Sequence, residues 1–162
     1  MDLTVFTDGS HFKINNSSSD GRLGIGGVIL NDRRRRINQF STEITRKYLE
    51  FNYGTQNCSN PTMELLAVLF ALRNFKGNIN PVEDTITFKA DYIGVSKWLN
   101  REWKVKETHI ARIFNEIQQE ISHQGLKGRV KFEWVKGHQR YSADPDAYWN
   151  NYVDKLAKGE IK

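Results

Sequence analysis

One cysteine, Cys58, stands in 162 residues, so an intrachain disulfide framework is excluded and a reduced thiol in a cytosolic protein is expected. Long apolar runs are missing too. No stretch nears the roughly 20 residues that a membrane-spanning helix needs. The opening residues Met1-Asp2-Leu3-Thr4 carry neither a basic segment nor a long apolar one, and predict no secretory leader. Internal repeats and composition breaks are also lacking, which predicts a single domain over residues 1–162. Apolar residues at 38% and charged residues at 27% exclude a disordered chain and fit a soluble globular one.

What is there in excess is positive charge. The formal net charge is +5, compatible with a polyanionic partner without proving one. Two stretches concentrate it. Arg33 to Arg36 is a run of four, which reads equally well as a solvated hairpin tip. Lys97, Arg101, Lys104, Lys106 and Arg112 form the second, with Trp98 and Trp103 among them. Cations interleaved with aromatics suit a groove that tracks a nucleic-acid backbone; a surface helix with two core tryptophans is the plainer alternative.

The hydrophobic pattern predicts β strands at residues 3–7, 24–30 and 37–44, the first ending at Asp8-Gly9-Ser10 and followed by a polar loop through Asn15 to Ser19. Residues 46–59 read as an irregular connection. A helix is expected from Asn60, as cap, with Pro61 in its first position, to about Phe75. Its buried stripe would be Leu65, Val68, Leu69, Leu72 and Phe75. A strand at 85–90 ends at Asp91. A short helix then turns Val95, Trp98 and Leu99 inward. A longer one at 108–122 carries Ile110, Ile113, Phe114, Ile117 and Ile121. A strand at 129–135 and a final helix opening at Asp144-Pro145 complete the order βββ-α-β-α-α-β-α. Three hairpin-linked strands followed by alternating helix and strand predict an α/β fold, with a mixed five-stranded sheet flanked by helices.

Four acids fall where that order matters. Asp8 and Asp91 end the first and fourth strands, which a crossover helix would make parallel neighbours. Ligands of open α/β sheets sit at such carboxyl ends. Glu64 lies in the first turn of the helix after Pro61, and Asp154 on the last helix. Each has an ordinary reading: a turn former, a first-turn charge near the helix dipole, an N-cap and a solvated charge. Together they predict a carboxylate cluster. Such a cluster repels itself unless a hard divalent cation is shared. Two cations about 4 Å apart can clamp an in-line phosphoryl displacement.

At this point the sequence resembles the type 1 ribonuclease H family over nearly its whole length. Thr7-Asp8-Gly9-Ser10 matches the family's first-strand motif, Met63-Glu64-Leu65 its first-helix motif, and Asp91 after a strand its third acid. Glu133-Trp134-Val135-Lys136-Gly137-His138 is similar to the segment that precedes the family's catalytic histidine. Asn150 with Asp154-Lys155-Leu156-Ala157 matches the closing helix. The resemblance implies an endonuclease that hydrolyses the RNA strand of RNA–DNA hybrids and leaves 5′-phosphate and 3′-hydroxyl ends. It implies Asp8, Glu64, Asp91 and Asp154 as ligands of two Mg²⁺ ions, with Mn²⁺ as a substitute and Asp8 shared. His138 would assist proton transfer or product release. Substrate contacts are expected from Gly9, Ser10, Ser59, Asn60, Trp98, Trp103, Lys104, Lys106 and Asn150, with Ser59 and Asn60 on a DNA-strand phosphate. A cytoplasmic monomer without an obligate protein partner is expected.

The match has departures. Tyr92 follows Asp91 where the family often has Ser. The basic segment from Trp98 to Thr108 is shorter than in many bacterial members. The 46–59 stretch and the span from His138 to Asp154 are longer than usual, and the early position of Asp8 predicts no preceding hybrid-binding domain. Other readings are another metal nuclease on the same fold, a catalytically silent hybrid-binding module, or a domain of a reverse transcriptase. The histidine segment and the complete set of four acids weigh against the first two. His11, His109 and His123 have no such context and are expected to play no catalytic part.

Overall fold

Alternation along the first strand, β1 (Asp2–Ile14), explains the layering. Leu3 and Val5 are buried in one core and Phe6 in another, so the sheet is covered on both faces. The computed structural model describes residues 1–14, 17–137 and 144–162, the side chains of residues 12–14 and 17–20 excepted. β1 pairs antiparallel with β2 (Ser17–Leu30), from Thr4 opposite Leu30 out to Ile14 opposite Ser17. The strand therefore runs well past Asp8, where the sequence pattern ends it, and residues 17–19 belong to β2 rather than to a loop. Backbone hydrogen bonds between strands do not require apolar side chains, so the pairing outlasts the hydrophobic alternation. β3 (Arg36–Ile44) pairs antiparallel with β2. β4 (Thr85–Ala90) lies parallel to β1, and β5 (Val130–Trp134) parallel to β4, giving the order β3-β2-β1-β4-β5.

Among the described residues five α helices cover the two faces. The stretch 46–59, expected to be irregular, contains α1 (Arg46–Tyr53). Its signals are local: the Thr45 hydroxyl accepts from the Tyr48 backbone N–H, Leu49 and Tyr53 are buried one turn apart, and Gly54 ends the helix at φ +61°. α2 (Asn60–Asn74) is capped at Ser59, so Asn60 is its first residue rather than its cap. Almost all of α2 from Thr62 to Leu72 is buried, because the sheet lies on one side and α4 (Thr108–His123) on another. α3 (Ile93–Leu99) buries Val95 and Leu99 but leaves Trp98 half-exposed. On the opposite face, among the described residues, lies only α5 (Pro145–Ala157), whose Val153 and Leu156 meet Phe6, Val28 and Leu30. Among the described residues no helix is long and apolar enough to cross a membrane.

Charge ties the first turn of α5 to the sheet. Asp146 accepts from Lys89 Nζ at 2.7 Å and from Arg34 Nη2 at 2.6 Å. Burial acts to raise its pKa, but Lys89 and Arg34 prevail and hold the carboxyl below the usual carboxylate range. Asp146→Ala removes two charge-assisted bonds and strands Lys89, so it is expected to lower stability by about 1.5–3 kcal/mol at neutral pH. A depressed pKa contributes stability that is present above the unfolded value of 3.8 and lost as pH falls through the folded value. The deficit of the variant, measured by urea unfolding, should therefore shrink in acid below about pH 4. An equal deficit at pH 3 and pH 7 would show that packing, not charge, is what Asp146 supplies.

Candidate metal centre

The parallel pairing of β1 with β4 ends at Phe6 opposite Lys89. Two residues further along each chain stand Asp8 and Asp91, which register alone sets side by side. The third acid arrives on α2. A Cβ on Gly9 would lie 2.4 Å from the Met63 carbonyl carbon and 2.6 Å from the Glu64 nitrogen, so only glycine lets α2 approach β1 this closely. Glu64 Oε1 then accepts from the Gly9 backbone N–H at 3.2 Å. Asp8, Glu64 and Asp91 each offer a carboxylate oxygen within 4.8 Å of the other two.

Asp8 and Glu64 are both 4% exposed. Burial raises the Asp8 pKa well above the ordinary carboxylate value, and the charges of Glu64, Asp91 and Asp154 add to it. Burial likewise pushes Glu64 up to about 8; its hydrogen bonds to Asp8 and to the Gly9 backbone act the other way, while Asp91 and Asp154 add repulsion. Burial and mutual repulsion thus favour the protonated form of both carboxyls. Glu64 Oε2 is buried with no hydrogen-bond partner, and so is Asn150 Oδ1. Acceptor atoms without donors, gathered with acids at the end of a sheet, fit a hard divalent cation.

The surroundings hold Asp91 in place. Asn150 Nδ2 on α5 donates to Asp91 Oδ2 at 3.3 Å, and Trp134 Nε1 donates to the Asp91 carbonyl at 2.9 Å. A Cβ on Gly137 would sit 2.8 Å from Asp91 Oδ2, which explains the glycine in the segment after β5. The expected fourth acid stands outside the group of three. Asp154 Oδ2 lies 3.0 Å from Lys158 Nζ, one turn along α5, close enough to Asp8 to act on it by charge alone. Lys158 does not stand out in the sequence, although its spacing of four from Asp154 is the signal. His138 lies outside the described residues.

The other expected contacts divide between two places. Ser59 Oγ lies 3.3 Å from Thr62 Oγ1, which is 3.1 Å from Nε2 of the buried His109; Asn60 is exposed beside them. Thr62 and His109 thus back the first turn of α2, a part that the sequence pattern does not give them. Ser10 is half-exposed on β1. Trp98, Trp103, Lys104 and Lys106 line a pocket of about 540 Å³ between α3 and α4, with Glu102 and Glu107. The two indoles meet edge to face at 6.1 Å. Tyr92, the departure from the family pattern, packs on Trp98 at 5.9 Å. Its hydroxyl pKa is raised by burial and then by the charges of Glu64 and Glu107.

Comparison with known proteins gives a consistent result. A family model described as RNase H matches residues 1–162. A ribonuclease H of Aliivibrio salmonicida is 29% identical over 162 aligned residues, which take in 96% of this chain and 85% of the relative. One of Acetivibrio thermocellus is 25% identical over 168, with 99% and 95% covered. Among solved structures, LC11-RNase H1, isolated from compost and crystallised with an RNA/DNA hybrid, superposes with a TM-score of 0.72 at 18% identity. That alignment covers 97% of this chain and 94% of the other.

Proposed function

The chain belongs to the ribonuclease H family, and on that premise we propose that it is an endonuclease hydrolysing the RNA strand of RNA–DNA hybrids through a two-metal-ion mechanism. The observation that carries this is the convergence of Asp8, Glu64 and Asp91, with one Glu64 oxygen buried and unpartnered. Residues 1–162 act as one catalytic domain, in the cytoplasm, as a monomer.

Asp8, Glu64 and Asp91 would hold the metal, and Asp154 would join them if it gave up Lys158; Mg²⁺ is the proposed ion and Mn²⁺ its substitute. When bound, the ions supply charge neutralisation at the phosphate and a more acidic attacking water. Burial keeps bulk water from competing for the carboxylate oxygens. Asn150 orients Asp91 through its side-chain amide. The water oxygen bonds to phosphorus as the bond to the 3′ oxygen breaks, leaving a 5′-phosphate and a 3′-hydroxyl. His138 takes part in proton transfer or product release. Ser59 and Asn60 take a DNA-strand phosphate, and Gly9 and Ser10 meet the RNA strand beside the acids. Trp98, Trp103, Lys104 and Lys106 grip the hybrid further along. Recognition of 2′-hydroxyls separates RNA from DNA.

Incubation with end-labelled RNA–DNA, RNA–RNA, DNA–DNA and single-stranded substrates, with Mg²⁺ and with chelator, tests this. Cleavage of the RNA strand in the hybrid alone, and only with metal, is expected. Equal cleavage of duplex DNA would point to another metal nuclease on the same fold. His138→Ala should slow turnover by less than the roughly 10²–10⁴-fold of a fully committed proton-transfer group. Its affinity for Mg²⁺, by calorimetry, should stay close to that of the wild type. A collapse of that affinity would make His138 a ligand.

A further inference from the structure

The arginine run at residues 33–36 is not a uniformly solvated tip. Asn31 organises the turn: its Oδ1 accepts from the backbone N–H groups of Arg33 and Arg35, both at 3.0 Å. Arg34 sits in the left-handed region at φ 62°, which a side-chain-bearing residue rarely adopts. That conformation aims its guanidinium at Asp146 and sets it 5.7 Å over the Phe6 ring. Arg36 turns toward α5 as well, donating to the Tyr152 hydroxyl at 2.6 Å and lying 5.9 Å over its ring. Arg33 and Arg35 are left exposed, with no side-chain partner among the described residues.

These contacts place the turn beside an aromatic group on the outer side of α5. Tyr148 is 62% exposed and meets Trp149 edge to face at 5.0 Å. It also lies nearly parallel to Tyr152, with ring centroids 6.4 Å apart and planes 25° from each other. Trp149 and Tyr152 are themselves in contact at 5.3 Å. Three mutually buttressed rings, with Tyr148 exposed, form a stacking platform, and the turn that carries the exposed Arg33 and Arg35 is tied to α5 at Asp146 and Tyr152, on either side of Tyr148. Asp146, in the first turn of α5, is already paired twice, with Arg34 and Lys89.

We propose that the Tyr148-Trp149-Tyr152 platform with Arg33 and Arg35 binds a single-stranded polynucleotide, one base stacking on Tyr148 and adjacent phosphates meeting the two arginines. A duplex does not suit it, because paired bases expose their edges and not their faces. Single strands offer both a free π face and a flexible charged backbone. The surface lies on the α5 side of the sheet and uses none of the residues assigned to the hybrid. It fits an unpaired tail leading away from a hybrid, and its binding does not depend on cleavage.

Fluorescence anisotropy with labelled 15-residue oligo(dT) and oligo(U), in chelator and over a salt series, tests the proposal. Both oligomers should bind, since bases and phosphates are common to them. Tyr148→Ala should weaken binding about tenfold, the low end for one lost base stack, and Tyr148→Phe should bind like wild type. R33A/R35A should flatten the slope of log affinity against log salt by about 1.4, at roughly 0.7 per single-strand phosphate. Excess blunt-ended hybrid should leave the oligomer bound. Unchanged binding by Tyr148→Ala and by R33A/R35A would overturn the proposal. So would equal loss in Tyr148→Phe, full displacement by blunt hybrid, or equally tight binding of poly-glutamate. These arms stand whether or not the wild type cleaves hybrids, so failure here and failure of the catalytic reading are separable.

Discussion

Asp8→Asn is expected to reduce hybrid cleavage by at least about 10³-fold while the protein stays folded and still binds the hybrid. Such a factor corresponds to about 4 kcal/mol of lost transition-state stabilisation, within what metal-assisted charge neutralisation supplies. Asp8 is the acid between the others: it touches Glu64, faces Asp91 across the end of the β1–β4 ladder, and feels Asp154. A neutral amide is a poorer ligand for a hard cation, yet it keeps the volume of the site. Single-turnover cleavage and hybrid binding, measured side by side in Mg²⁺, check it. Substantial residual turnover would remove Asp8 from the centre of the mechanism.

Glu64→Gln is expected to produce the largest change in stability, and in the stabilising direction when metal is withheld. The native Glu64 carboxyl holds its proton to about pH 8, whereas the unfolded chain releases it near 4.5. Between those values the native state binds more protons than the unfolded one, so stability falls as pH rises. A tenfold difference in proton affinity between the two states is worth about 1.4 kcal/mol, so the loss across this window is on the order of 5 kcal/mol. Glutamine removes it. Its oxygen can still accept from the Gly9 N–H, and its amide can donate toward Asp8 from the position of the unpartnered Oε2. In chelator at pH 8 the variant should melt roughly 10–20 °C above the wild type, and near pH 4 the difference should vanish. Mg²⁺ binds the native wild type and should close the gap by mass action. Thermal melts across pH, with and without Mg²⁺, decide it; a variant that melts lower at pH 8 in chelator would mean that Glu64 is structurally satisfied as it stands.

Much of the fold and of the site is legible in the chain itself. The spacing of Leu65, Leu69 and Leu72, and the isoleucines of α4, mark helices because burial repeats every three or four residues. Asp8, Glu64 and Asp91 stand out because strand ends and a first helical turn are positions that topology brings together. α1 is hidden because it has few apolar residues: Leu49 and Tyr53 are buried, but the remaining positions are polar or exposed, as with Phe51 at 91%. Its cap residues Thr45 and Gly54 carry the signal instead. The outer half of the β1–β2 hairpin is hidden because backbone pairing extends it without hydrophobic alternation. Asp154 can be assigned to the right helix but not to its partner, since whether it faces Asp8 or Lys158 depends on rotation within α5. The Arg33–Arg36 run conceals two roles in one stretch, because the inward turn of Arg34 comes from a positive φ that composition does not mark.

α5 rests on the smaller core, built from Phe6, Val28, Leu30, Val153 and Leu156, while the other four helices share the larger one. The two faces are therefore expected to behave as cooperative units of unequal size that meet at one sheet. Amide hydrogens of α5 should exchange with solvent through openings that leave α2 and β1 protected, as partial unfolding units do. Asn150 and Asp154 travel with the smaller unit, Asp8, Glu64 and Asp91 with the larger. A cation that drew Asp154 to the other acids would then work as a clasp across the sheet, slowing exchange in α5 out of proportion to any gain elsewhere.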